Sequence, residues 1–190
     1  MITLSLRRID SRWLVVLLTN LLLWWLVGIA NNYLSRFSFL WMDYCSLHLY
    51  VGGLFVVYPA LRLSRTQGWI AIALTGLMMD SLQPVPFGTE MLLLGLVYAT
   101  LLYGRRRFPR EGSVFGIVVA LFANLFLVIA LSFLLVGAAP SPGEAWLRIF
   151  VDLLASQLLL LVITPWFLAL QERSMALARL NPETGRRVAH

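Results

Sequence analysis

The sequence predicts an all-α, polytopic membrane protein with six transmembrane helices, and three observations predict it. Of its 190 residues, 60% are hydrophobic and only 13% charged, with a mean hydropathy of +0.82; a soluble domain is about 45–50% apolar and about 25% charged. Apolar runs recur along the whole chain, and at about 20 residues per span they suffice for about six crossings, leaving no soluble domain. The 15 basic side chains are all arginines, standing in short runs beside those apolar segments. Barrel strands would instead read as alternating segments of about ten residues.

The first apolar run, 13–33, follows Arg7, Arg8 and Arg12. Its end, Gly28-Ile29-Ala30, has the small-x-small pattern of a signal-peptidase site. The run exceeds the 7–15 residues of a signal core and more spans follow, so an uncleaved anchor is expected. An aromatic connector, Phe37 to Tyr44, leads to a second run at 45–61, closed by Arg62 and Arg65. The third is short, 68–82, and the chain breaks at Pro84 and Pro86 before a fourth at 87–103. A basic turn, Arg105 to Arg110, precedes the fifth at 113–136. Gly137 to Gly143 is a loop by its Gly, Pro and Ser content. The sixth run is 147–170, and 171–190 reads as a polar cytoplasmic tail.

Placing the N-terminus in the cytoplasm puts 13 of the 15 arginines on that side, with only Arg36 and Arg148 outside. Because arginines in short loops set orientation, this asymmetry predicts an even number of spans with both termini inside. The same rule accounts for the net charge of +6 without nucleic acid, whose binding is not expected. The single cysteine, Cys45, excludes an intrachain disulfide, and two histidines, His48 and His190, with no Cys/His cluster give no metal site. No nucleophile elbow, zinc-protease helix, Walker loop or clustered acid motif occurs. A catalytic site needs several convergent groups, so the expectation is a protein that is not an enzyme and has no cofactor.

A few polar residues inside apolar runs stand out. Asp80 lies near the end of the third run, where a carboxylate is costly unless paired, capped or wet. Gly76, four residues earlier, lies on the same helical face and permits close approach of a neighbouring backbone. Gly88 gives a flexible point where the fourth run begins, and Glu90 falls in its first turn, an acid that complements the positive helix end. The structural reading is a capped helical hairpin; a proton or ion relay and a partner contact are the functional ones. Asp152, with Ser156 and Gln157, makes a polar patch one turn after Arg148, which reads as an i, i+4 pair. Asn20 and Asn124 read as interhelical glue. Gly52-Gly53 and Pro165 read as sites of close packing and of a kink.

With Asp43 before the second run, Tyr58-Pro59 closing it, and Gly76, Asp80 and Gly88 following in order, the segment from about Met42 to Tyr103 resembles the rod shape-determining protein MreD family. Pro165-Trp166 late in the sixth run adds to the resemblance. The resemblance implies a non-catalytic scaffold subunit of the bacterial cell-elongation, peptidoglycan-synthesising complex in the cytoplasmic membrane. Implied partners are the bitopic protein MreC, MreB, RodA and a class B penicillin-binding transpeptidase. MreD-like proteins are also similar in fold to S components of energy-coupling-factor vitamin transporters, which implies an alternative, a small-molecule-binding transport subunit. A vitamin pocket needs several polar groups converging in an apolar cleft, and the chain offers few.

Overall fold

A computed structural model describes residues 12–36, 47–82, 86–104, 113–136 and 142–178. Among them run six helices: α1 (Arg12–Arg36), α2 (Gly52–Arg62), α3 (Arg65–Asp80), α4 (Thr89–Gly104), α5 (Ser113–Val136) and α6 (Pro142–Leu177). The protein is all-α, with the character of a multi-pass membrane protein. Stretches of α1, α5 and α6, namely Arg12–Leu34, Val114–Leu134 and Ala145–Leu177, are each long and apolar enough to cross a bilayer. Their outward faces carry Leu18, Leu22, Trp25, Phe122, Phe133, Leu158 and Val162, all exposed. Such a surface is an aggregation hazard in water and an ordinary solvated face in lipid.

α2 lies at the centre. All residues from Gly52 to Ala60 are buried, as a helix apolar all round requires. It packs against α3, α4, α5 and α6, and touches α1. Around it Leu54, Phe55, Val57, Leu94, Tyr98, Leu127 and Leu160 form the main core. The tightest helix pair is α3 with α4, followed by α5 with α2 and with α6. On the far side of α3, α1 closes the bundle.

The second apolar run is only partly helical. Its 11 helical residues rise about 16 Å, half of the roughly 30 Å hydrocarbon core. Residues 47–51 precede them as non-helical chain, which can reach about 16 Å more. Together the two halves have the length of one crossing. Non-helical backbone needs its amides satisfied by other groups, and the side chains that do so here form the site described below.

α6 differs from its sequence boundaries in the other direction, running from Pro142 to Leu177 where 147–170 was expected. Pro165 sits inside it without ending it. The seven residues after Leu170 stay helical because two of them are held. Gln171 is buried against α1, its Nε2 donating to Thr19 Oγ1 at 3.2 Å and Asn20 Oδ1 at 3.1 Å. Glu172 pairs with Arg62 of α2 at 3.2 Å. Asn20 in turn donates to Thr75 Oγ1 of α3 at 3.3 Å, so one polar network ties α1, α3 and α6.

Candidate functional site

Asp80 is the last residue of α3 and is almost fully buried. Its Oδ1 accepts the backbone N–H of Glu90 at 2.8 Å, and its Oδ2 accepts that of Met91 at 3.2 Å. A helix begins with unpaired N–H groups and a partial positive charge. Here the carboxylate that caps α4 belongs to the preceding helix, so the cap also welds the hairpin.

Two glycines make that cap reachable. A Cβ on Gly76 would lie 2.5 Å from the Met91 Cα, so the α3 backbone sits directly against the first turn of α4. Gly88 has φ +95°, a left-handed conformation that L side chains rarely adopt. Its carbonyl then accepts the Leu92 N–H at 3.0 Å, starting the helix. Gly76, Asp80, Gly88 and Glu90 are thus brought together in one turn of structure.

Glu90 is fully buried. Its Oε2 accepts the Tyr50 hydroxyl at 2.8 Å, while Oε1 has no partner. Tyr50 belongs to the non-helical half of the second run, and its N–H donates to Ser156 Oγ of α6 at 2.9 Å. The two preceding amides are held likewise: Leu49 N–H by Asn31 Oδ1 of α1 at 2.8 Å and His48 N–H by Asp152 Oδ1 at 2.9 Å. Asn31 returns a bond from Nδ2 to the Leu49 carbonyl at 3.0 Å. Three consecutive backbone donors are therefore satisfied alternately from α6 and α1. At the start of α2 the Gly53 N–H donates to Asn124 Oδ1 of α5 at 3.2 Å, and Asn124 Nδ2 has no partner.

Asp152 consequently does more than stand one turn from Arg148; it carries the His48 amide. Pro165 lies far along α6 from this cluster, next to Thr164, whose hydroxyl donates to the Leu160 carbonyl at 2.6 Å. Asp43 lies outside the described residues, as do the basic turn after Gly104 and most of the 171–190 segment. Sequence reasoning did not single out Tyr50, Asn31, Thr75 or Gln171. Tyr50 is hidden inside an apolar run, and its position just before Gly52-Gly53 was the one available signal.

What the arrangement does is satisfy backbone donors at a helix start and along a non-helical segment. Among the described residues no group of three or more His, Cys, Asp or Glu is placed to hold a metal ion. A groove of about 420 Å³ between α4 and α5 is lined by Val97, Leu101, Phe115, Phe122 and Phe126, with little polar surface. The Thr100 hydroxyl on its wall is already bonded to the Leu96 carbonyl at 2.9 Å. Fold and site together define an all-helical membrane protein whose buried carboxyls are engaged with its own backbone and a tyrosine. No protein-family model, curated protein or solved structure matches the chain.

Proposed function

We propose that this protein is an MreD-like scaffold subunit of the bacterial cell-elongation complex. In this reading it crosses the cytoplasmic membrane six times with both termini inside, and binds an MreC-like single-span protein. MreB, RodA and a class B penicillin-binding transpeptidase are its wider partners. The observation that carries the reading is the pair of hydrogen bonds that Asp80 accepts from the α4 amides. The most conspicuous intramembrane acid is thereby committed to shape, as a scaffold needs. Association with a partner span then rests on packing and a few hydrogen bonds over a broad helix face, because lipid supplies no hydrophobic drive between helices.

A second reading, a substrate-binding subunit similar in fold to the vitamin-transport S components, draws on Glu90 Oε1 and Asn124 Nδ2. Both are buried polar atoms without a partner, of the kind that orients a ligand in an apolar pocket. Depletion separates the two. Loss of rod shape on depletion supports the scaffold; intact shape with loss of uptake of one vitamin replaces it by the transport reading.

A further inference from the structure

On the outward side of α6 a cavity of about 400 Å³ is lined by Pro165, Trp166, Ala169, Leu170 and Arg173. Spacings of three, four and seven residues from Trp166 put Ala169, Leu170 and Arg173 on one helical face. Trp166 is 78% exposed, and Leu170, Ala169 and Arg173 are exposed with it. The lining is thus an apolar strip, with Ala169 as its low point, that ends in a guanidinium about 10 Å along the axis.

Charge at that end is unbalanced. Among the described residues, the helix ends near it carry Arg62, Arg65 and Arg173 against Glu172. Glu172, the acid next to Arg173 in sequence, is engaged by Arg62 at 3.2 Å. Among the described residues no acid pairs with Arg173.

We propose that this face holds an anionic phospholipid of the arginine-rich leaflet, its phosphate on Arg173 and an acyl chain along Trp166, Ala169 and Leu170. Charge complementarity selects an anionic headgroup, since each arginine near a bilayer surface strengthens such binding about fivefold. The apolar strip selects a lipid over free phosphate, which would use only the guanidinium. An indole flanking the strip suits the boundary between headgroup and chain, where tryptophan is enriched.

The test uses full-length protein in phosphatidylcholine nanodiscs doped with brominated-chain phosphatidylglycerol or brominated-chain phosphatidylcholine. Tryptophan quenching at this face is the difference between wild type and Trp166→Phe. The expected result is half-quenching by brominated phosphatidylglycerol at a several-fold lower mole fraction than by brominated phosphatidylcholine. Arg173→Gln should remove most of that preference, and Arg65→Gln, an exposed arginine at the same end, should leave it. Equal quenching by the two lipids overturns the proposal. So does an equal loss in Arg65→Gln and Arg173→Gln, which would mean a diffuse field, or relief of quenching by inorganic phosphate, which would mean a free anion. Absence of quenching by either lipid, with a polypeptide co-purifying on this face, would assign it to a partner helix instead.

Discussion

Replacing Asp80 tests whether the α3–α4 cap is what the acid is for. Asp80→Ala removes both bonds to α4 and leaves the Glu90 and Met91 N–H groups buried without acceptors. Each orphaned donor costs about 1–3 kcal/mol, and loss of a helix cap alone costs about 0.5–2 kcal/mol. A loss of about 3 kcal/mol follows, and at about 2–4 °C per kcal/mol for a chain of this size the melting temperature should fall by about 6–12 °C. Asp80→Asn keeps one carbonyl acceptor but turns an NH₂ toward the second N–H, so it should lose roughly half as much. Glu90→Gln is the control: it removes a neighbouring buried acid yet keeps an acceptor for Tyr50, and should move the transition least. Thermal unfolding of the three variants in one detergent reads the series. An Asp80→Ala protein that melts with wild type, or an Asn variant less stable than the Ala variant, refutes the capping argument.

Gly76→Leu should be as damaging as Asp80→Ala, because its first side-chain atom already meets the Met91 backbone at 2.5 Å and the hairpin must open; melting unchanged from wild type would contradict this. Tyr50→Phe keeps the ring and removes the bond to Glu90, leaving that buried carboxyl with neither oxygen bonded. It should cost about 1–3 kcal/mol, and a Glu90→Leu background should abolish most of that cost in a double-mutant cycle.

Run length alone made the helical class legible, and positional logic made the hairpin legible. Gly76, Asp80 and Gly88 carry their roles in backbone geometry that residue type dictates: no side chain, a capping carboxylate, a positive φ. The second run was not legible in the same way. Leu47 to Val51 continues the apolar run with no Gly or Pro to break a helix, and the side chains that hold its amides are distant in sequence, in Asn31, Asp152 and Ser156. The end of α6 was hidden for the opposite reason. Hydropathy falls at Gln171, Glu172 and Arg173, yet Gln171 is buried on α1 and Glu172 held by Arg62, so the helix continues. Asp152 was legible as a polar position, but its bond to a backbone 104 residues away was not. Local pattern reports composition; which donor a side chain satisfies is decided by tertiary packing.

The proposed role, binding another membrane protein, is tested by photo-crosslinking in living cells of its host. A crosslinking residue placed in turn at Leu22, Leu96, Phe122 and Leu158 samples outward faces of α1, α4, α5 and α6, all exposed. At least one face should yield an adduct with an MreC-like single-span protein, and the adduct should be lost when that partner is deleted. Failure of all four faces to capture such a protein, with a transporter ATPase recovered alongside the chain, would contradict it.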